Sequence, residues 1–327
     1  MNIDEKHTNK NMLDLDSFSQ KDFKTLFLNT DSMMGILSKD IKKIPALRGK
    51  SIVTLFFEPS TRTRASFEQA GKILNADVIN ISSMGSSVTK GESLHNTALT
   101  IQSMKCDIII IRHPDSGAPY FLSKYLNNTI IINAGDGMHA HPTQALLDLY
   151  IMQKHLKTFK NKKVVIVGDL LHSRVARSNI WGLITLGADI TVCGPRTLLP
   201  QDWFKYESLP YKHPFNKITI ETKIENALHN ADVIMALRIQ KERQVNGLLP
   251  SMREYSKLYG ITDKRMQIAN DNAIVMHPGP VNEGIEIDSD VVHGNQSVIQ
   301  KQVTTGVAIR MALLYTLCVG TYKNESE

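Results

Sequence analysis

Short apolar runs recur along this chain, and stretches of helical period fill the gaps between them. That alternation constrains the fold more than any other feature. It is the pattern of parallel strands buried on both faces and connected by helices. In the first half, Ser51 to Phe57, Asp77 to Ile81, Asp107 to Arg112 and Thr129 to Asn133 read as strands. Ser60 to Asn75, Leu94 to Met104 and Thr143 to Leu156 read as helices, the last carrying Leu146, Leu147, Tyr150 and Ile151 at helical spacing. The rhythm restarts at Lys163. Strands follow at Lys163 to Gly168, Asp189 to Cys193, Asp232 to Leu237 and Ala273 to Met276, with helices at Ser173 to Leu186, Ile224 to His229 and Gln300 to Val319. The expected fold is therefore α/β, with two domains, each a mostly parallel sheet flanked by helices, linked by long helices. A length of 327 residues suits two such domains without help from disulfides or metals.

Composition removes several function classes. The net charge is +6, but the basic residues are dispersed and aromatics make up only 6%. A nucleic-acid surface is not expected, and small anionic ligands suit the balance better. The thiols Cys106, Cys193 and Cys318 are far apart and form no CxxC or zinc spacing. They read as buried or incidental thiols of a reducing, cytoplasmic compartment. Met1 to Gln20 holds no apolar segment of signal-peptide type, and runs such as Ile108 to Ile111 are too short to span a bilayer, so no membrane partner is expected. Residues 1–15 read as a disordered N-terminal extension.

The strongest local signal is Glu58-Pro59-Ser60-Thr61-Arg62-Thr63-Arg64, after a strand and at the opening of a helix. The free N–H groups and positive dipole of a helix start bind anions. Ser60, Thr61 and Thr63 add hydroxyls, and Arg62 can pair with phosphate oxygens through two parallel hydrogen bonds. Read alone, the segment also fits a Ser/Thr N-cap with surface arginines. Glu58 reads as a carboxylate that orients a neighbouring arginine. Arg112-His113-Pro114 closes a strand, where open α/β sheets place ligands. Arg112 is a second grip on a carbonyl or phosphate oxygen, or a surface arginine. His141-Pro142-Thr143-Gln144 leads into a helix, and His141 and Gln144 offer groups to polarise a carbonyl and hold an amide. His139-Ala140-His141 has a metal-like spacing, but further ligands are not recognisable, and no metal or cofactor is expected. Ser86-Ser87-Val88-Thr89-Lys90-Gly91 fits a mobile loop closing on an anion, or an ordinary solvated loop. In the second half, Arg174 and the run Arg238-Ile239-Gln240-Lys241-Glu242-Arg243 follow strand ends and could hold a dicarboxylate. Gly168 stands without the other glycines of a dinucleotide fingerprint. His277-Pro278-Gly279-Pro280 offers backbone carbonyls to an NH₂ group.

As an ordered set, these motifs resemble the carbamoyltransferase family from about residue 20 to 320. Within it, His141-Pro142-Thr143-Gln144, Arg238-x-Gln240-x-Glu242-Arg243 and His277-Pro278-Gly279-Pro280 side with members that use aspartate rather than ornithine. The resemblance implies transfer of the carbamoyl group of carbamoyl phosphate to the α-amine of L-aspartate, in pyrimidine biosynthesis. It implies that Ser60, Thr61, Arg62 and Thr63 bind the phosphate. Thr63, Arg112 and His141 would polarise the carbonyl, and Gln144 with the backbone at Gly279 and Pro280 would hold the amide. Arg174, Arg238 and Gln240 would bind the aspartate carboxylates. Lys90 and Ser87 (or Ser86) would reach in from a neighbouring chain of a homotrimer. The implied division is 16–148 plus 304–327 for carbamoyl phosphate and 149–303 for aspartate. A regulatory chain or a dihydroorotase-type partner is compatible with the resemblance. One departure stands out: relatives with His-Pro-Gly-Pro are expected to continue Asn-Arg-Gly, whereas this chain has Asn282-Glu283-Gly284. That puts inherited assembly contacts in doubt more than chemistry.

Overall fold

Ile108, Ile109, Ile110 and Ile111 are each fully buried, as a strand covered on both faces requires. The computed structural model describes residues 11–82, 92–208, 213–239 and 248–319. They form two compact units. The first holds residues up to Ser17, Lys21–Thr143 and those from Thr305 on; the second holds Phe18–Gln20 and Gln144–Thr304.

The first unit carries α1 (Gln20–Leu37, all but its first residue), β1 (Ser51–Phe56), α2 (Thr61–Ile73), β2 (Asp77–Ser82), α3 (Leu94–Ser103), β3 (Ile108–His113), α4 (Ala118–Tyr125) and β4 (Ile130–Asp136). Its four strands pair in parallel in the order β2-β1-β3-β4. Helix α5 (Pro142–Leu156) opens in the first unit and continues in the second.

The second unit adds β5 (Lys163–Val167), α6 (Arg174–Leu186), β6 (Asp189–Cys193), β7 (Ile218–Glu221), α7 (Ile224–Leu228), β8 (Val233–Ala236), α8 (Met252–Tyr259), α9 (Asp263–Met266), β9 (Ile274–Met276) and α10 (Ser289–Val292). Its strands pair in parallel in the order β7-β6-β5-β8-β9. Helix α11 (Ile299–Val319) starts in this unit and ends in the first, where Ala308, Ile309, Met311, Ala312, Leu313 and Leu314 are buried. By length and composition alone α11 could cross a membrane. Its buried side chains and the buried Arg310, stacked over Phe67, are those of a core helix.

Both sheets are anchored by one device. Asp107 accepts from Lys50 Nζ at 2.8 Å and from Ser51 N–H at 2.9 Å, tying β3's start to β1's. Asp232 does the same for β8 and β5, accepting from Lys162 Nζ at 3.0 Å and Lys163 N–H at 2.9 Å. Burial pushes the Asp232 carboxyl up. The bonds from Lys162, Lys163 and Asn270 outweigh it and hold the group below its ordinary range.

Three differences from the sequence reading have physical causes. Residues 11–15 are packed, not disordered. Met12 N–H donates to Ile131 O at 2.9 Å, Asn133 N–H donates to Met12 O at 2.8 Å, and Leu15 is fully buried. Strand β4 runs on to Asp136 because its polar residues satisfy one another: Asn133 Nδ2 donates to Asp136 Oδ1 at 2.8 Å. Elements α1, α4, β7, α8, α9 and α10 are absent from the sequence reading; α1 does carry Phe23, Leu26, Phe27, Thr30 and Met33 at helical spacing on its buried face.

Candidate active site

The first unit gathers its candidate residues by register. Phe56 of β1 pairs with Arg112 of β3, and His113 of β3 pairs with Asp136 of β4. The segments that follow these strands leave one edge of the sheet, the carboxyl edge where ligands of open α/β sheets bind.

The β1–α2 turn separates the two readings of Ser60. Ser60 takes the N-cap position with extended backbone (φ −161°, ψ 92°), yet its hydroxyl makes no capping bond. The first turn holds no acidic residue to answer the helix dipole. Thr61 and Arg62 are exposed there, and Thr63 is buried. Glu58 plays the orienting part expected of it. Its Oε2 lies 3.1 Å from Arg112 Nε, with side chains only 18% and 15% exposed. Arg112 Nη1 also donates to Ala134 O at 3.4 Å, so the guanidinium is held at two points.

His141 is buried just before α5. The approach to it is organised by Asp136, whose carboxylate accepts from Gly117 N–H at 2.7 Å and Ala140 N–H at 3.1 Å. His139 Nδ1 lies 3.1 Å from Asp136 Oδ2, and His139 Nε2 is 3.7 Å from Asp14. This commits the His139 ring to carboxylate contacts. Burial pushes the Asp136 carboxyl up, but the bonds from His139, Gly117 and Asn133 hold it below its ordinary range. Gly137 has φ +46°, and a Cβ there would sit 2.8 Å from Ser116 N and 2.9 Å from Pro114 O. Only glycine lets these two loops pack.

The second unit carries the remaining candidates. Gln144 lies in the first turn of α5, partly buried, its Nε2 donating to Asp148 at 3.0 Å. Arg174 is buried at the first position of α6, behind the Ser173 cap that accepts from Ala176 N–H at 3.1 Å. Arg238 follows β8, and Gly279-Pro280 follows β9 through a cis bond with Gly279 at φ +65°. Strands β5, β8 and β9 are neighbours, so these segments leave one edge of the second sheet. Ser86, Ser87, Lys90, Gln240, Lys241, Glu242 and Arg243 lie outside the described residues.

The sequence reading missed the buried acids that hold these segments. Glu286 Oε1 accepts from Ile239 N–H at 2.9 Å and Asn282 Nδ2 at 2.7 Å, and its Oε2 accepts from Asn282 N–H at 2.7 Å. It thereby joins the segment after β8 to the segment after β9. Burial pushes its carboxyl up from the ordinary range. Asp148 is likewise fully buried. Its one sequence signal was a lone carboxylate inside an apolar helix face, which must be paired to be tolerated. Glu283, where an arginine was expected, is occupied locally: its Oε2 accepts from Ser289 Oγ at 2.6 Å. Among the described residues no group of three His, Cys, Asp or Glu side chains could hold a metal.

Two parallel sheets with arginines, hydroxyls and a buried histidine at their carboxyl edges define an α/β protein with cationic, donor-rich sheet edges. The chain belongs to the aspartate/ornithine carbamoyltransferase family. Residues 10–154 match its carbamoyl-P binding domain and residues 160–317 its Asp/Orn binding domain. The aspartate carbamoyltransferase catalytic subunit of Dehalococcoides mccartyi is 50% identical over 95% of this chain and 92% of that protein. That of Chloroflexus aurantiacus is 51% identical over 94% of this chain and 98% of that protein. Among solved structures, aspartate transcarbamoylase from Trypanosoma cruzi, in complex with carbamoyl phosphate and aspartate, superposes with TM-score 0.82 at 29% identity, covering 94% of this chain and 96% of that one. Ornithine carbamoyltransferase from Pyrococcus furiosus gives 0.81 at 26%, covering 95% and 97%. The backbone fold is thus common to both substrate branches; the near relatives belong to the aspartate branch.

Proposed function

We propose that the chain transfers the carbamoyl group of carbamoyl phosphate to the α-amine of L-aspartate, giving N-carbamoyl-L-aspartate and phosphate in pyrimidine biosynthesis. The observation that supports the reading is that Thr63, Arg112 and His141 stand on the segments at the carboxyl ends of β1, β3 and β4, one edge of a parallel sheet, with no acid in the first turn of α2. Ser60, Thr61, Arg62 and Thr63 take the phosphate. Thr63, Arg112 and His141 face the carbonyl oxygen. Gln144 and the carbonyls of Gly279 and Pro280 take the amide, and Arg174, Arg238 and Gln240 take the aspartate carboxylates.

The chemistry follows from these roles. The uncharged amine attacks the carbamoyl carbon, the carbonyl π-bond becomes a tetrahedral oxyanion, and the C–O bond to phosphate then breaks. The oxyanion is where negative charge develops, so fixed donors and the Arg112 cation lower the barrier. Phosphate is a good leaving group and can take the amine's proton, so positioning and charge stabilisation suffice without a protein nucleophile. Ser87 and Lys90 complete the set from a neighbouring chain of a cytoplasmic homotrimer; a regulatory or dihydroorotase-type partner would add to that trimer. The test is product formation with aspartate and ornithine in parallel. Carbamoyl-aspartate without citrulline is expected; citrulline alone, or no product, overturns the reading.

A further inference from the structure

A glutamine side chain has two nearly isosteric ends, one donating and one accepting, and its neighbours decide which end faces a ligand. In the second unit, one buried carboxylate makes that decision for Gln144. Asp148 Oδ1 accepts from Gln144 Nε2 at 3.0 Å, so the Gln144 carbonyl oxygen is turned away from Asp148. The same Oδ1 accepts from Gln302 Nε2 at 2.8 Å, and Asp148 Oδ2 accepts from Asn179 Nδ2 at 3.0 Å. Gln302 is fixed from its other end too: its Oε1 accepts from His277 N–H at 3.1 Å. His277 Nδ1 in turn accepts from Gly279 N–H at 2.8 Å. Asp148 and His277 are almost completely buried, and Gln302 is 5% exposed. A continuous relay therefore runs Gln144–Asp148–Gln302–His277–Gly279, wholly inside one unit.

The relay joins the two places that, on the reading above, hold the substrate's NH₂ group. That group brings two N–H donors and needs two acceptors. The Gln144 carbonyl is one, and the Gly279-Pro280 backbone is the other. If Gln144 were free to flip, its own NH₂ would face the substrate's NH₂ for part of the time. An acetyl group has the carbamoyl group's shape but no N–H, so it neither gains from the acceptors nor suffers from the flip. Sites built to hydrogen-bond a substrate N–H reject analogues lacking it, because the buried acceptors stay unpaired.

We propose that Asp148 is a positioning residue that, directly on Gln144 and through Gln302 and His277 on the Gly279 segment, holds the Gln144 carbonyl and the neighbouring backbone as acceptors and so selects carbamoyl over acetyl phosphate. The inference rests on the proposed function, and the experiment separates the two. The full chain and the variants Asp148→Leu and Gln302→Met are assayed for kcat/KM with carbamoyl phosphate and for the inhibition constant of acetyl phosphate against it. Asp148→Leu is expected to lose about tenfold or more in kcat/KM, with the acetyl phosphate constant within about threefold of the parent. Gln302→Met is expected to shift the same ratio in the same direction by several-fold, and it carries the test if Asp148→Leu does not fold. Variants that lose both ligands in parallel, or that keep the parental ratio, overturn the positioning role while leaving the proposed function standing. A parent chain that makes no carbamoyl-aspartate overturns both.

Discussion

At the residue scale, the candidate site was legible where its chemistry is consecutive. Ser60 to Arg64 concentrates donors at a helix start, and that signal survives without any tertiary knowledge. The structure adds that the Ser60 hydroxyl makes no capping bond, and that Glu58 is spent on Arg112. Arg62→Ala should therefore leave the thermal transition near the parent's. Loss of a charge-assisted pair costs about 1.5–3 kcal/mol, so kcat/KM should fall roughly 10- to 150-fold. Circular dichroism and steady-state kinetics check both halves, and activity within about threefold of the parent would remove the phosphate role. The thiols make a second residue-scale case. Burial pushes Cys193 up to about 12 and Cys318 up to about 11, so little reactive thiolate exists at neutral pH. Labelling by a thiol reagent at pH 7.5 should be slow in the native chain and fast in denaturant; prompt native labelling of Cys193 would contradict its burial.

At the element scale, strands were easier to read than several helices and the edge strand β7. Strands such as β3 and β5 are buried on both faces, so their apolar runs are unbroken. Strand β7 is only partly covered, and its Ile218-Thr219-Ile220 pattern carries less signal. Helix α4 starts from Gly117 in the left-handed region (φ +89°), anchored by Asp136 nineteen residues downstream, which no local pattern reveals. The Asp232 anchor yields a pH prediction. Its folded pKa lies below the ordinary 3.8, so its contribution is present above that value and is lost as pH falls through the lower, folded pKa. The stability gap between the parent and Asp232→Asn in urea titrations should be open at pH 7 and should close under strongly acidic conditions; a gap that widens below pH 4 would reverse the sign. Gly137→Ala tests the loop before His141. The left-handed backbone and the close approach of Pro114 O and Ser116 N should cost more than about 1 kcal/mol and lower kcat as well.

At the scale of the whole molecule, the prediction concerns assembly. A homotrimer with shared sites should run at three times the 36.6 kDa chain mass in native mass measurement. Mixing the inactive variants Lys90→Ala and His141→Ala should restore part of the activity, because some sites then draw Lys90 and His141 from unmutated chains. No recovery after verified subunit exchange would mean that each chain completes its own site.

The sequence alone determined what depends on neighbours along the chain: strand and helix periods, the doubling of the α/β rhythm, and motifs whose donors stand side by side. Only the tertiary structure decided what depends on pairing across the sheets and on burial. It brought Phe56, Arg112 and Asp136 to one edge, packed Met12 against β4, and made Asp148 and Glu286 the hubs of distant amide groups. The reason is physical. A buried carboxylate is tolerated only when donors converge on it; Gln144 stands one helical turn from Asp148, but Asn179 and Gln302 come from far along the chain and leave no local pattern. The alternation of short apolar runs set the two sheets; the partners of their buried polar groups were set by the fold.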